Sequence, residues 1–244
     1  MHNPPRSVLT PMVAKLEMWG PLSSSDKAAI LELPHRVVTS KPHSFIITEG
    51  EKAHSSCLLL SGYCCRHRTA RSGERQVLSI HMKGDVIDVQ GPMLAVADHS
   101  LETFHSAEVA LIPVEAIGQI AFERPAVGRA MWSETLVDAA ISREWILNVG
   151  RHDAKTRAAH FLCELSVRVE RAGLGERCNY QLPMTQEQLA DCLGLTSVHT
   201  NRVLMRLGEE GLITRTHRSV RVDDWSKLAR AGEFDAAYLH LPSA

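Results

Sequence analysis

Residues 182–213, LPMTQEQLADCLGLTSVHTNRVLMRLGEEGLI, decide how the C-terminal part of this chain folds. Thr185 is placed to cap a helix, and Gln188, three residues on, completes a capping box. Leu189, Ala190 and Leu193 share one apolar face. Gly194 then breaks the helix, as a left-handed C-cap or tight turn requires. Thr196 can cap a second helix with Val203, Leu204 and Leu207 on its inner side. The opposite side carries Ser197, His199, Asn201, Arg202 and Arg206. Two short helices joined at a glycine, the second polar and basic outside, predict a helix-turn-helix suited to a DNA major groove. An ordinary helical hairpin is the alternative. Cap, turn, core spacing and outer-face chemistry all agree on the first reading.

The segment that follows, LITRTHRSVRVDDW (212–225), reads as two β-prone arms around a His-Arg-Ser tip, which is the pattern of a wing. Arg215, His217 and Arg218 are placed there to meet phosphate or the minor groove. The overall net charge of −1 argues against a protein that coats nucleic acid, but the charge is uneven. Residues 1–150 carry 14 basic and 16 acidic side chains, whereas residues 151–221 carry 11 and 8. Between 196 and 221, Arg202, Arg206, Arg215, Arg218 and Arg221 face only Glu209 and Glu210. Phosphate contacts need cations in that place.

The chain has 244 residues, room for one large domain or two modest ones, with 44% hydrophobic and 23% charged residues. No apolar run is long enough to span a bilayer. The opening MHNPPRSVLTPMV lacks the apolar stretch of a signal peptide, so a cytoplasmic protein without a membrane partner is expected. Cys57, Cys64, Cys65, Cys163, Cys178 and Cys192 include no C-x-x-C pair and no zinc-site spacing. Reduced, mostly buried thiols are expected, with thiol-based redox sensing as the alternative.

Upstream the pattern changes twice. Residues 22–33 suggest a short helix opened by Ser23, Ser24 and Ser25. From about His35 to Pro113 come short β-runs: SFIIT (44–48), SCLLL (56–60), YCCRHR (63–68), QVLSIHM (76–82) and VALIP (109–113). Arg71-Ser72-Gly73-Glu74 makes a hairpin turn between two of them. Such spacing predicts a sandwich or jelly-roll-like β-roll. A short helix is expected over 114–122 and a long one over 127–149. On the long helix Trp132, Leu136, Ala139 and Ile146 form a stripe, with Arg143 as its polar member, and Trp132 is a natural interface anchor. A dimer seam is the preferred reading; packing within one chain is the alternative. Asp153 can start a helix over 154–171, ended by Gly173 and Gly175. A strand follows around 180–182, and Phe234, Tyr238 and Leu239 offer packing groups near the end. The fold class is α+β: a jelly-roll-like β-roll over 1–126, a dimerisation helix over 127–150, and a winged helix-turn-helix over 151–244.

In that order these parts resemble the Crp/Fnr family of bacterial transcription regulators. The resemblance covers nearly the whole chain. It is most specific in the helix-turn-helix and in the preceding RHDAKTRAAHFLCEL (151–165). LLLSGYCCRHRTARSGERQVLSIHMKGDVID (58–88) has the family's strand–turn–strand cadence and contains the Gly84-Asp85 turn. The resemblance implies that Ser197, Val198, His199, Asn201 and Arg202 form the base-reading face. Arg202 is the expected guanine contact, worth about 1–3 kcal/mol of discrimination if bidentate. Val198 departs from the acidic residue of the best-known members, so the preferred half-site should differ, and a thymine-methyl contact is open to it. Thr185, Gln186, Thr196 and Thr200 match positions that hold phosphates in relatives, with helix capping or solvent exposure as the alternative for each, and Arg206 lies beside them.

In the β-roll, which the resemblance implies is a cyclic-nucleotide-binding-like sensor, the pattern departs further. Relatives that bind cyclic AMP carry a Gly-Glu pair and an Arg-Ser/Thr pair in a phosphate-binding cassette. Here the first falls on Asp88-Val89 and the second near Ala97, Asp98 and His99, with no arginine between Arg75 and Arg124. An acidic residue at a phosphate site repels the ligand. Cyclic AMP is therefore not the expected effector, no cofactor is expected, and Asp88, Val89, Asp98 and His99 are left as an effector pocket without an assigned ligand. Asp98 and Ser100 forming a simple turn is the preferred alternative. The iron–sulfur branch clusters cysteines near the N-terminus, and none precedes Cys57. None of the 13 histidines is marked out as a haem ligand. The expected function is a dimeric regulator reading an inverted repeat on double-stranded DNA, with RNA polymerase as a further partner. The alternatives are a constitutive regulator whose β-roll is only a dimerisation or polymerase-contact scaffold, and, remotely, a cupin-type metal enzyme. His67 and His81 lack the His-x-His pairing that such an enzyme needs.

Overall fold

A computed structural model describes residues 7–94, 96–216 and 218–241. It opens with helices α1 (Thr10–Glu17) and α2 (Ser24–Leu31). Eight strands follow: β1 (Arg36–Ser40), β2 (Phe45–Ile47), β3 (Ser55–Ser61), β4 (Tyr63–Thr69), β5 (Arg75–Met82), β6 (Val86–Ile87), β7 (Ser100–Thr103) and β8 (Ala107–Pro113). Helices α3 (Val114–Glu123), α4 (Pro125–Arg151) and α5 (Ala154–Arg171) come next. The chain continues through β9 (Asn179–Gln181), α6 (Gln186–Leu193), α7 (Ser197–Glu209), β10 (Ile213–Arg215), β11 (Ser219–Val222) and α8 (Trp225–Ala231), and a short 3-10 turn spans Ala236–Leu239. Two compact units result. One holds the chain up to Arg66 together with His81–Ala139; the other holds His67–Ile80 together with Ala140–Leu241.

The β-roll consists of two four-stranded sheets, ordered β1-β8-β3-β6 and β2-β7-β4-β5. Strand β8 is the centre of the first, antiparallel to β1 with Arg36 opposite Leu111 and to β3 with Cys57 opposite Leu111. Cys57, Leu59, Cys64, Ile87, Leu101 and Val109, drawn from both sheets, form one buried cluster. A second cluster joins Leu9, Met12 and Leu16 of the first helical turns to Leu58, Ile112, Ile117, Val127 and Met131. Burying each such side chain contributes roughly 1.5–3 kcal/mol. Helix α1 was not expected; its burial of Met12, Val13 and Leu16 explains why it forms. Ser23 alone caps α2, with Asp26 closing a capping box. Ser100 belongs to strand β7 and its hydroxyl accepts from Glu49 N, which corrects its reading as a turn residue. Cys57, Cys64, Cys65, Cys163 and Cys192 are buried and Cys178 is exposed. Burial pushes the Cys64 and Cys163 thiols up to about 12, away from reactive thiolate.

In the C-terminal unit the local signals act as the residues suggest. Asp153 caps α5 by accepting from Lys155 N and Thr156 N. Thr185 and Gln188 form the reciprocal capping box of α6, Gly194 ends it at φ 60°, and Thr196 caps α7 by accepting from His199 N. The wing pairs Ile213 with Val222 and Arg215 with Val220, and β11 extends onto β9 with Val220 opposite Tyr180. The ribbon ends at Val222, because Asp224 caps α8 by accepting from Lys227 N. The last segment packs back: Leu239 is buried, and Tyr238 Oη donates to the buried Glu164 at 2.8 Å, where Trp145 Nε1 also donates at 2.8 Å.

Candidate nucleic-acid interface and sensor cleft

Helix α7 buries Thr200, Val203, Leu204 and Leu207. A 3.6-residue period then turns the other face outward. Val198, His199, Asn201, Arg202, Met205 and Arg206 are exposed, Val198 by 63% and Met205 by 57%, and Ser197 is half-buried. Among the described residues Arg202 makes no hydrogen bond or ion pair, so its guanidinium is available at the surface. Asn201 leans along the helix, its Nδ2 lying 3.8 Å from Met205 Sδ. Gln186 Nε2 donates to the Ser197 carbonyl at 2.9 Å, which ties the start of α6 to the start of α7. Thr185 and Thr196 are exposed and act as cap acceptors, leaving each hydroxyl hydrogen free to donate.

Three expectations need revision. Thr200 is fully buried, so its hydroxyl cannot meet a phosphate, and the position belongs to the core of the motif. Arg206 faces solvent, but its Nε donates to Glu210 at 3.1 Å, and Glu210 also holds Lys155. Its charge is therefore shared with a carboxylate rather than wholly offered to DNA. In the wing, Arg218 is exposed, whereas Arg215 is half-buried and burial lowers its pKa. His217 lies outside the described residues.

The sensor position is a cleft of about 260 Å³, counting the open solvent at its mouth, lined by Asp88, Gln90, Leu94, Val96, Asp98 and His99 among others. Val89 is not in that lining; it packs against the apolar cluster of the N-terminal helices, so its place in the pocket is corrected. Asp88 is buried and left-handed, with φ 60°, a conformation that aspartate tolerates better than most residues. Its carboxylate accepts from Arg66 Nε at 3.2 Å, Arg66 Nη2 at 3.0 Å and Gln90 Nε2 at 2.9 Å. His99 Nε2 stands 3.2 Å from the same carboxylate, and His99 Nδ1 stands 2.7 Å from Asp98. Both ring nitrogens thus face acceptors, which favours the imidazolium. Burial lowers the His99 pKa, and the bond and charge of Asp88 outweigh it, so the net shift is upward. Arg66 was not foreseen as a sensor residue. Its Nη1 also donates to Asp138 of α4 at 2.6 Å. A cyclic phosphate needs an uncommitted cation, and Arg66 and His99 already hold carboxylates.

On α4, Trp132 is exposed by 68%, Leu136 by 54% and Ile146 by 72%, with Arg143 exposed and Ala139 half-buried. The stripe recurs at spacings of four, three, four and three. Leu147, exposed by 46%, widens it. No described helix is long and apolar enough to cross a membrane.

Residues 37–124 match the cyclic nucleotide-binding domain, and residues 156–231 match the Crp-like helix-turn-helix domain. The chain is 28% identical to the nitrogen fixation regulation protein FixK of Rhizobium meliloti, over 83% of this chain and 86% of that protein. It is 28% identical to the anaerobic regulatory protein of Haemophilus influenzae, over 73% and 69% of the two chains. The structure of FixK2 from Bradyrhizobium japonicum superposes with a TM-score of 0.75 at 23% identity, covering 82% of this chain and 98% of that one. The two relatives are named as regulatory proteins and the second matched domain is a Crp-like helix-turn-helix, so the cupin-type alternative is set aside.

Proposed function

This chain is a member of the Crp/Fnr family of transcription regulators, and from that premise we propose that it works as a cytoplasmic homodimer reading an inverted repeat on double-stranded DNA. The observation that carries the reading is the outer face of α7, where Arg202, His199, Asn201 and Val198 stand exposed above a buried apolar side. Ser197, Val198, His199, Asn201 and Arg202 are assigned to base edges. Thr185, Gln186, Thr196 and Arg218 are assigned to phosphates, which position the motif without reading sequence. The exposed stripe of α4 supports pairing of two copies, which would set two recognition helices roughly 34 Å apart. RNA polymerase is the further partner expected of a regulator that activates.

Cyclic AMP is not the effector in this reading. The committed state of Arg66 and His99 supports that exclusion, because an added phosphate would meet the Asp88 and Asp98 carboxylates without an unpaired cation. The same observation favours the second reading, a constitutive regulator whose β-roll is held in one arrangement by its own ion pairs.

Selection of bound duplexes from a random-sequence pool, with and without cyclic AMP, tests the proposal. Enrichment of one two-fold-symmetric site, equal in both arms, is the expected result. Enrichment only with cyclic AMP would overturn the effector exclusion, and an asymmetric single site would overturn the dimer.

A further inference from the structure

The C-terminal unit contains a cation that neither base reading nor phosphate contact uses. Arg157 stands near the start of α5. Its Nη1 donates to the Leu193 carbonyl at 2.6 Å, and its Nη2 donates to the carbonyls of Val149 at 2.8 Å and His152 at 3.2 Å. Leu193 is the last residue of α6, Val149 lies in the last turn of α4, and His152 follows that helix. Carbonyls at such ends have no partner within their own helix, and the ends carry partial negative charge. One guanidinium therefore closes the C-termini of two helices: the one that bears the apolar stripe and the first helix of the DNA-binding motif.

The surroundings are built around it. Gly194 has φ 60°, a backbone that favours glycine, and a Cβ there would stand 3.1 Å from Gln76 Oε1, with Val149 Cγ1 and Arg157 Nη1 in ordinary contact at 3.5 and 3.6 Å. Asn148 Nδ2 reaches back to the Arg157 carbonyl at 3.4 Å, and Asn148 Oδ1 lies 2.9 Å from His152 Nδ1. The same end of α6 is held from another side, where Arg75 Nε donates to Asp191 at 2.7 Å. A planar fork suits three carbonyls that diverge from one point; a lysine supplies a point charge on a flexible stem.

We propose that Arg157 is a positioning residue for DNA binding: it sets the direction in which the helix-turn-helix leaves α4, and so the distance between the two recognition helices of a dimer. This rests on the inverted-repeat reading above. Arg157 touches no DNA in this scheme, so its loss should act on spacing and not on the reading of a single half-site.

The test compares wild type with R157K and R157Q on the selected repeat, on a duplex carrying one arm only, and on repeats whose spacer is lengthened or shortened by one base pair. Circular dichroism melts verify that each variant is folded at the assay temperature. For R157Q, one-arm affinity should stay within about twofold while full-repeat affinity falls by about tenfold or more, which corresponds to about 1.4 kcal/mol. The preference among spacers should flatten, and R157K should lie between R157Q and wild type. Equal losses on one arm and on the full repeat would overturn the proposal, since a merely structural role acts on both alike. An unchanged spacer profile in folded R157Q would overturn it as well. Wild type that selects no symmetric repeat would overturn the inverted-repeat reading itself, and this proposal with it.

Discussion

Arg66 Nη1 donates to Asp138 Oδ2 at 2.6 Å, joining strand β4 to the long helix α4. The other edge of the same guanidinium holds Asp88. Burial alone would raise both carboxyls. The His99 bond and the Arg66 charge hold Asp88 well below the carboxylate range, and Arg66 holds Asp138 below it too. The Asp88 segment is thereby linked to α4 by charge pairs inside one unit.

Arg66→Met withdraws the counter-charge from the buried Asp88 and the half-buried Asp138. Breaking a buried pair in this way costs about 3–5 kcal/mol, more than the pair itself contributes. The unfolding midpoint in urea should fall accordingly. Adding Asp88→Asn to Arg66→Met should recover part of the loss, because one of the stranded charges is gone. Strictly additive losses in the double-mutant cycle would count against the linkage.

His99 should make the stability of the β-roll depend on pH. Its folded pKa is raised from the ordinary 6.5, so the stability it contributes is fully present below 6.5 and is lost as pH rises through the folded value. Asp88 and Asp138 act in the opposite sense. Their contribution is present above the ordinary 3.8 and is lost as acid takes the pH down through their lowered folded values. Melting temperatures of wild type and His99→Gln, followed from pH 5.5 upward, should therefore differ most at low pH and converge as pH rises. Parallel curves would remove His99 from the account.

The helix-turn-helix was legible because its signals are local. The Thr185–Gln188 box spans three residues, Gly194 needs only its own left-handed backbone, and the α7 face repeats within one helix. The stripe on α4 was legible for the same reason. Arg66 was not, since its partners lie 22 and 72 residues away and nothing in YCCRHR marks one arginine over another. Thr200 was misplaced because family position suggested phosphate, whereas the 3.6 period puts it among Val203, Leu204 and Leu207. Two-residue β6 is too short to show a period, and the Asp224 cap of α8 hid behind the β-like run that precedes it.

Trp132 and Leu136 test the seam. Each leaves more than half its surface in water in one chain, so truncation should cost the folded unit little. In a dimer the same groups would be central anchors, where loss commonly costs about 2 kcal/mol or more. Sedimentation of Trp132→Ala and Leu136→Glu should show monomers at concentrations where wild type is dimeric, together with weaker binding to the selected repeat. Dimers in both variants would rule the stripe out as the seam.

Arg202 separates reading from holding. If its guanidinium meets guanine O6 and N7, Arg202→Ala should remove about 1–3 kcal/mol of preference at one base pair of each half-site. Arg218→Ala, at an exposed wing position, should instead weaken binding to all sequences alike and lower the salt slope by about one counterion. Val198, apolar and 63% exposed, predicts a second effect: Val198→Glu should shift preference toward a base pair offering cytosine N4, since a carboxylate accepts where a methyl group cannot. Binding titrations at two salt concentrations, on the selected site and on its single-base variants, distinguish the three. A uniform loss in Arg202→Ala would move that residue from the base edges to the phosphates.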